Sequence, residues 1–272
     1  MPLASINGVQ LHFIVLDPVS PARSNADVVL VHGFGASLGF WYWLAPALAA
    51  SNRVLIFDLR GHGLSSMPSA GYTTQVMAAD LEALVDFLGV PEAHFLGHSF
   101  GGRIIIHFAS KNPERIKSIV LVDVLLKSVG PKAVGSDEEP AVALEALARF
   151  RLRGPFSGIA GRLSALQVLR LLNKTTAPDE ISRSSDPPAE RLAQLNKPTL
   201  LVYGERSGAL PTASALAQLW PHARTDIIPG VDHLFPIVYP ERFLSTVSSF
   251  LKFQSYRHVR SDLSEGGVGD GL

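Results

Sequence analysis

The sequence predicts an α/β protein in which helices cover a mostly parallel, doubly wound β-sheet that is interrupted by one helical insertion. Short apolar runs alternate with segments of helical periodicity along most of the chain, and this alternation is typical of βαβ units. One run, residues 28–31, is fully apolar, as expected of a strand buried on both faces of a parallel sheet. The chain has 272 residues, of which 47% are hydrophobic and 18% charged, so it can build a packed core and is not globally disordered.

The first predicted elements form a β-hairpin at one edge of the sheet. Asn7-Gly8 stands between two apolar runs, which is a strong signal for a tight turn, and residues 11–16 are predicted to be the second strand. A loop rich in Pro and Ser follows, and after it come the strand 28–31 and a predicted helix over about residues 41–50.

The same alternation predicts the remaining strands and helices. The predicted strands cover residues 54–57, 93–96, 118–122, 199–203 and 225–228. One predicted helix begins at a cap formed by Thr73 or Thr74 and ends at Gly89 and Pro91. The other predicted helices cover residues 101–110, 213–219 and 241–253. Because parallel strands joined by helices run in one direction, their carboxyl ends should meet along one edge of the sheet.

One long interruption separates the two parts of the predicted sheet. Between Val124 and Asn196, helical patches at 142–152 and 163–172 are mixed with Gly and Pro, and this segment is too long for a plain crossover. We therefore expect residues 1–124 and 196–253 to form the α/β core and residues 125–195 to form a helical cap. The glycine-rich end of the chain predicts a flexible tail over residues 254–272.

Charge and cysteine content exclude several classes of function. Twenty-four basic residues balance twenty-four acidic ones, so no overall field gathers nucleic acid and no nucleic-acid partner is expected. A chain without cysteine has no disulfide, thiolate metal site or cysteine nucleophile. The lack of cysteine fits a reducing compartment, and the first twenty residues carry no basic n-region of a signal peptide, so a cytoplasmic location is expected.

One uncharged stretch is long enough to cross a membrane but is predicted not to do so. Residues 28–50 carry no Lys, Arg, Asp or Glu, and their length could span a bilayer. They also contain Gly33, Gly35, Gly39 and Pro46, whereas a lipid-exposed span needs one unbroken helix. Strand, loop and then helix is the better interpretation, and no membrane span is expected.

The strongest chemical signal is Gly97-His98-Ser99-Phe100-Gly101, a G-x-S-x-G motif with a predicted strand before it and a predicted helix after it. Small residues around the serine allow a sharp strand-to-helix turn that exposes its side chain. The helix N-terminus that follows stabilises developing negative charge. Ser99 is therefore the predicted nucleophile.

A serine hydroxyl is a weak nucleophile until a base takes its proton, and His233 is the best placed of the nine histidines. It follows the last predicted strand and precedes the last predicted helix. Loops at the carboxyl ends of strands share one edge of an open α/β sheet, so His233 can meet Ser99 despite their separation in sequence.

Two backbone N–H groups are the predicted donors of an oxyanion hole. Phe100 directly follows the nucleophile, and Phe34 lies in His32-Gly33-Phe34-Gly35 after the third strand. Glycine beside each donor leaves room for a substrate oxygen to approach.

These motifs resemble the α/β-hydrolase fold superfamily, and its serine hydrolases and esterases in particular. The resemblance covers about residues 5–253 apart from the insertion, and it includes Asp58-Leu59-Arg60-Gly61-His62-Gly63-Leu64-Ser65 and Val231-Asp232-His233. It implies a Ser–His–acid catalytic triad and makes the insertion a cap domain over the pocket. The combination is specific for the fold and weak for the substrate.

The sequence departs from this family at the triad acid. The usual Gly-x-x-Asp after the penultimate strand here reads Gly204-Glu205-Arg206-Ser207. Asp123, at the end of the strand 118–122, is the preferred acid, because some members of the superfamily carry their acid at that strand end. Glu205 is the alternative acid, and a purely structural role for Asp123 stays open. Asp232 is a poor candidate because adjacent side chains in a tight loop rarely point at each other.

The leading functional hypothesis is a serine hydrolase that cleaves a small to medium carboxylic ester through an acyl-serine intermediate. A thioesterase or lactonase with the same triad is the alternative within this class, and a non-catalytic ligand-binding protein is the alternative outside it. An aspartate nucleophile, as in dehalogenases and epoxide hydrolases, is excluded by the serine at position 99. No metal or other cofactor is implied, the expected partner is a small-molecule ester, and the sequence does not predict an oligomeric state.

Basic residues outnumber acidic ones in part of the insertion. Residues 141–174 contain one acidic side chain, Glu145, and six basic ones: Arg149, Arg151, Arg153, Arg162, Arg170 and Lys174. A solvated face of the cap is the preferred interpretation. Attraction of an acidic substrate, carrier or surface is the alternative.

Overall fold

The computed structural model describes residues 1–19, 26–129 and 159–265, without the side chains of 159–164 and 255–265. Eight strands form one sheet in the order β1-β2-β4-β3-β5-β6-β7-β8. The strands are β1 Leu3–Ile6, β2 Val9–Leu16, β3 Asp27–Val31, β4 Val54–Phe57, β5 Ala93–His98, β6 Ile116–Val122, β7 Thr199–Gly204 and β8 Arg224–Ile228.

The sheet is antiparallel at one edge and parallel elsewhere. β1 and β2 form the predicted hairpin, and its turn residues Asn7 and Gly8 have φ of 47° and 78°, the left-handed conformation that a two-residue hairpin turn requires. β2 pairs antiparallel with β4, and the pairs from β3 to β8 are parallel. The predicted mostly parallel α/β sheet is therefore confirmed.

Helices cover both faces of the sheet. They are α1 Ala45–Leu48, α2 Thr74–Phe87, α3 Phe100–Lys111, α4 Ile159–Lys174, α5 Ala177–Arg183, α6 Ala189–Ala193, α7 Leu210–Leu219, α8 Phe235–Val238 and α9 Pro240–Glu265, with 3-10 turns at Leu38–Trp41 and Pro113–Arg115. Buried residues of α2, α3 and α7 share one apolar cluster with the sheet. Buried residues of α1 and α9 share a second cluster on the opposite face. The arrangement is doubly wound, as predicted.

The parallel register brings the predicted site residues to one edge. His98 at the end of β5 pairs with Val122 at the end of β6, and Gly204 at the end of β7 pairs with Ile228 at the end of β8. The segments that follow these strands carry Ser99, Asp123, Glu205 and His233, so the shared edge of the sheet gathers them.

Two helices differ from the prediction. The segment 41–50 contains the last residue of the 3-10 turn Leu38–Trp41 and then the short helix α1, because Pro46 lacks an N–H and favours the first turn of a new helix. The last helix continues to Glu265 instead of ending at residue 253. No glycine or proline interrupts the sequence between Pro240 and Gly266, so nothing breaks the helix. Of the predicted tail, residues 254–265 are therefore helical and residues 266–272 lie outside the described residues.

The insertion is described in part. α4, α5 and α6 lie within residues 125–195, and α4 contains the helical patch predicted at 163–172, whereas the patch predicted at 142–152 lies outside the described residues. None of the helices in the described part of the chain combines the length and apolar composition that a membrane crossing needs.

Candidate active site

Ser99 occupies the sharp turn between β5 and α3. Its φ of 52° and ψ of −120° give a non-glycine residue a backbone conformation that L-residues rarely adopt. The Ser99 N–H donates to the Val122 carbonyl of β6 at 2.8 Å, and the side chain is partly exposed. This strained strand-to-helix turn is the geometry that the G-x-S-x-G motif predicts.

Glycines make this turn possible, because a side chain would not fit at their positions. A Cβ on Gly97 would lie 2.6 Å from the Gly102 nitrogen, and a Cβ on Gly101 would lie 2.3 Å from the Val31 carbonyl oxygen. Both distances are far shorter than a van der Waals contact. α3 can therefore lie directly against the ends of β3 and β5.

Asp123 directly follows β6, and its carboxylate is fully buried. Its Oδ2 accepts the Gly204 N–H at 3.0 Å, and its Oδ1 accepts the Ser207 hydroxyl and His233 Nδ1, the latter at 3.3 Å. Burial by itself raises the pKa of this carboxyl, but the hydrogen bond and charge of His233, together with the bonds from Ser207 and Gly204, outweigh burial and hold the pKa below its usual value. The group is therefore an ionised carboxylate beside the imidazole.

The loop that carries His233 is fixed against the end of β7. The Arg206 N–H donates to the Val231 carbonyl at 2.9 Å, and a Cβ on Gly204 would lie 2.7 Å from the same carbonyl oxygen. The His233 side chain is 44% exposed. Since its Nδ1 contacts Asp123, Nε2 is the ring nitrogen left for proton transfer.

The two other acids near this loop bind elsewhere. Glu205 is exposed, and its Oε2 accepts the Gly230 N–H at 2.7 Å. Asp232 Oδ1 accepts the Leu234 N–H at 3.2 Å. The structure brings Asp123 to His233, and it does not bring Glu205 there.

Ser99 and His233 do not share a direct hydrogen bond. Among the residues that the structure describes, no hydrogen bond joins Ser99 Oγ to the His233 ring. The two residues are linked through His98, which precedes Ser99 and whose Nε2–H donates to the His233 carbonyl at 3.0 Å. Hydrogen bonds between nucleophile and base are often long in unliganded enzymes and tighten when substrate binds.

His32 orients the peptide group between Gly33 and Phe34. Its Nδ1–H donates to the Gly33 carbonyl at 2.8 Å, and its Nε2 accepts the Leu59 N–H at 3.1 Å. In a trans peptide the C=O and the N–H point in opposite directions. By holding the Gly33 carbonyl, His32 therefore fixes the direction of the Phe34 N–H.

His62 holds the residue after Phe34 in the same loop. Its Nε2 accepts the Gly35 N–H at 3.0 Å, and its Nδ1–H donates to the Arg60 carbonyl at 2.8 Å. The His62 and Phe34 rings also pack in a T-shaped arrangement, with centroids 4.8 Å apart. The turn after β4 therefore contacts the loop at both Phe34 and Gly35.

The two predicted oxyanion donors, the N–H groups of Phe34 and Phe100, lie in segments that adjoin Ser99. In the described part of the chain, neither the Phe34 N–H nor the Phe100 N–H donates to another protein group. The two rings meet edge to face with centroids 5.6 Å apart, and a Cβ on Gly33 would lie 3.3 Å from Ser99 Cβ. This leaves two donors free for a substrate oxygen.

The His98 ring packs between Phe40 and His233. Its ring stacks on Phe40 and lies 4.6 Å from the His233 ring, measured between centroids. Burial, followed by the nearby charge of His233, lowers the pKa of His98 to about 3. His98 is therefore a neutral imidazole that donates one hydrogen bond and carries no charge at neutral pH.

The lowered pKa of His98 predicts a loss of stability in mild acid. Below about pH 6.5 the unfolded chain binds a proton on this side chain that the folded protein does not bind until about pH 3. The contribution of His98 to stability is therefore fully present above about pH 6.5 and is lost as the pH falls. Through His98 alone, the free energy of unfolding falls by about 2 kcal/mol between pH 7 and pH 5.

Urea unfolding of wild type and His98→Gln at both pH values measures this contribution. We expect His98→Gln to lose about 2 kcal/mol less than wild type between pH 7 and pH 5. His222→Gln, at an exposed histidine, is the control and should follow wild type. Equal losses in wild type and His98→Gln would contradict the assignment of a neutral buried His98.

Comparison with known proteins identifies the fold. Residues 28–161 match the family described as the alpha/beta hydrolase fold. The chain has the α/β-hydrolase fold. The pimeloyl-acyl-carrier-protein methyl ester esterase of Yersinia enterocolitica is 29% identical to this α/β hydrolase over 253 residues, which cover 84% of this chain and 94% of that protein.

Solved structures show the same fold. An esterase from Rhodococcus sp. ECU1013 superposes on this α/β hydrolase with a TM-score of 0.70 at 26% identity, covering 92% of this chain and 97% of its own. An enol-lactonase from Burkholderia xenovorans LB400 superposes with a TM-score of 0.71 at 25% identity, covering 92% and 100%. The predicted α/β-hydrolase fold is confirmed.

Several residues of the site could not be found from the sequence pattern of this α/β hydrolase. The pattern shows Ser207 only as the residue that replaces the expected acid, and it places His32 and His98 in motifs without indicating a role for either side chain. The available signal was position in the sequence, since His32 directly precedes Gly33-Phe34, His98 directly precedes Ser99, and Ser207 stands at the acid position. In the described part of the chain, no three His, Asp or Glu side chains are grouped so that they could hold a metal ion.

Proposed function

We propose that the protein is a serine hydrolase that cleaves a small to medium carboxylic ester through an acyl-serine intermediate. Ser99 is the nucleophile, His233 the general base and Asp123 the acid of the triad. The observation that carries the proposal is the contact between the buried Asp123 carboxylate and His233 Nδ1, next to a strained serine on the neighbouring strand. The esterase activity named for the relative from Yersinia enterocolitica supports the reaction class.

The first half of the reaction forms the acyl-enzyme. Substrate binding brings Ser99 Oγ and His233 Nε2 into hydrogen-bond contact, and Nε2 takes the hydroxyl proton as Oγ attacks the ester carbonyl carbon. The oxyanion that forms accepts the N–H groups of Phe34 and Phe100. His233 then gives its proton to the leaving alkoxide, and the alcohol departs.

The second half releases the acid. His233 Nε2 takes a proton from a water molecule, which attacks the acyl carbon and forms a second oxyanion in the same place. Collapse of this intermediate breaks the bond to Ser99 Oγ, and His233 returns the proton to the serine. Throughout, the ionised Asp123 holds the Nδ1–H tautomer and stabilises the imidazolium without being protonated itself.

Labelling with a fluorophosphonate probe tests the proposal. We expect the probe to phosphonylate Ser99 in the wild-type protein, because the base and the oxyanion donors activate this hydroxyl over all others. Ser99→Ala should remove labelling without changing the thermal unfolding midpoint by more than a few degrees. Ser110→Ala, in the same helix region but at its far end, is the control and should label as wild type does.

The same experiment separates an enzyme from a binding protein. A folded wild-type protein that is neither labelled nor able to hydrolyse p-nitrophenyl acetate would favour the non-catalytic ligand-binding alternative. Labelling of a site other than Ser99 would reject the proposed nucleophile.

A panel of substrates defines the ester that this machinery prefers. p-Nitrophenyl esters of graded chain length, the matching thioesters and simple lactones should be compared by kcat/KM. The lactonase neighbour supports including lactones, and the relative that acts on an acyl-carrier-protein methyl ester supports including carrier-linked methyl esters. A carrier-linked substrate whose kcat/KM falls with added salt would give the basic residues of 141–174 a binding role.

A cytoplasmic location stays a prediction.

A further inference from the structure

The loop after β7 places a hydroxyl where the family resemblance expects the triad acid. In Gly204-Glu205-Arg206-Ser207, Ser207 stands at the aspartate position of the Gly-x-x-Asp pattern. Its N–H donates to the Gly204 carbonyl at 3.1 Å, which closes the turn after β7. Its hydroxyl reaches the end of β6, where it contacts Asp123 Oδ1.

The neighbours of this hydroxyl settle the direction of its proton. Ser207 Oγ accepts the Ala209 N–H at 3.1 Å, and a backbone N–H can only donate. The Asp123 carboxylate is ionised and can only accept. The hydroxyl proton is therefore directed at Asp123, and Ser207 is the donor in this contact.

Two donors share one oxygen of the acid. Asp123 Oδ1 accepts both the Ser207 hydroxyl and His233 Nδ1–H, while Oδ2 accepts the Gly204 N–H at 3.0 Å. The bond to Gly204 and the bond to Ser207 together hold the plane of the carboxylate. Each hydrogen bond to a carboxylate oxygen also lowers its attraction for further protons, so Ser207 weakens the pull of Oδ1 on the imidazole.

Apart from His233, the described ionisable groups that face Asp123 do not change charge near neutral pH. The buried His98 has a pKa of about 3, and burial raises the pKa of Tyr203 far above neutrality. Within the described residues, His233 is the remaining ionisable group in contact with the carboxylate. The charged neighbours of Ser207 in its own loop, both exposed, are Glu205 and Arg206.

We propose that Ser207 is a positioning residue of the triad, whose hydroxyl holds the Asp123 carboxylate toward His233 and sets how strongly that carboxylate attracts the imidazole proton. The inference rests on the proposed ester hydrolase, because it needs Asp123 to act through His233. It gives the serine at the family's acid position a role of its own.

The variant Ser207→Ala removes the donor and leaves more charge on Oδ1 for the imidazole. Stronger stabilisation of the imidazolium moves the acidic limb of the kcat/KM profile to higher pH, by about half a unit. At the pH plateau we expect kcat for p-nitrophenyl acetate to fall about threefold to tenfold, because the carboxylate loses one of the bonds that hold its plane. KM should change little, since Ser207 does not contact the substrate in the proposed cycle.

Two further variants separate this role from a structural one. Ser207→Thr keeps the hydroxyl and should show the wild-type pH profile of kcat/KM. Gly208→Ala changes the same loop where a Cβ meets no atom within 4 Å, and it should leave the profile unchanged. A Ser207→Ala profile with a lower plateau and an unshifted limb would overturn the inference, and so would a Ser207→Thr profile that matches Ser207→Ala.

The result is separable from the test of the function itself. If the wild-type protein hydrolyses no ester and takes no fluorophosphonate, the proposed function fails first. If the wild type is active and Ser207→Ala shows no shift of the limb, only the role of Ser207 is rejected.

Discussion

Replacing Asp123 by asparagine is expected to lower kcat by about 10⁴-fold with little change in KM. The Gly204 backbone N–H needs an acceptor at the Oδ2 position, so the asparagine oxygen should lie there and its NH2 group should take the Oδ1 position. An NH2 group facing His233 Nδ1 favours a lone pair on that nitrogen and a proton on Nε2. The imidazole is then in the wrong tautomer to accept the Ser99 proton.

Steady-state kinetics with a p-nitrophenyl ester measures this effect, and Glu205→Gln is the matched control. Glu205 accepts the Gly230 N–H, which a glutamine oxygen can also accept, so Glu205→Gln should keep kcat within about twofold of wild type. An Asp123→Asn enzyme with near-normal kcat would reject Asp123 as the acid. A large loss in Glu205→Gln alone would return that role to Glu205.

Replacing Gly101 by alanine is expected to destabilise the protein by about 3 kcal/mol, which lowers the melting temperature by roughly 6–12 °C. The new Cβ would lie 2.3 Å from the Val31 carbonyl oxygen and 2.6 Å from that of His32. Both atoms belong to the backbone, so the start of α3 must move away from β3. Alanine favours the helix over glycine by only about 1 kcal/mol, which the clash exceeds.

The same displacement should reduce activity in the molecules that still fold. The Val31 and His32 carbonyls lie directly before the loop that carries Phe34. When α3 moves away from these carbonyls, the Phe100 N–H at its start therefore moves away from the Phe34 N–H. Urea unfolding and kcat measure the two effects. Gly208→Ala is the control, because a Cβ there meets nothing within 4 Å, and it should change stability by less than about 1 kcal/mol. Equal stabilities of the two variants would show that the α3 contact is not tight.

Most of the fold follows from the sequence, since its determinants are local. The Asn7-Gly8 turn and the cap at Thr73, whose side chain accepts the Val76 N–H, depend on residues close together in the chain. The two wrongly predicted helix lengths depend on where helix-breaking residues are present or absent. Pro46 begins a short helix in place of the predicted longer one, and the absence of breakers lets α9 continue to Glu265.

The site was predictable in its residue types and not in its contacts. The motifs predicted Ser99 and His233 because strand ends share an edge. They favoured Asp123 and left Glu205 open as the alternative acid, because the choice depends on where the Glu205 carboxylate finds a donor, and that donor is the Gly230 backbone. The roles of His32 and Ser207 depend on contacts through space, which a spacing rule does not contain.

The backbone N–H groups of Ser99 and Asp123 continue the hydrogen bonding of the sheet one residue past the ends of β5 and β6. The Ser99 N–H donates to Val122 and the Asp123 N–H donates to Val202, so neither residue can leave its place unless the sheet opens. Amide protons at both positions should therefore exchange with deuterium as slowly as those in the middle of the strands. On heating, loss of catalysis and melting of the sheet should coincide in a single cooperative event.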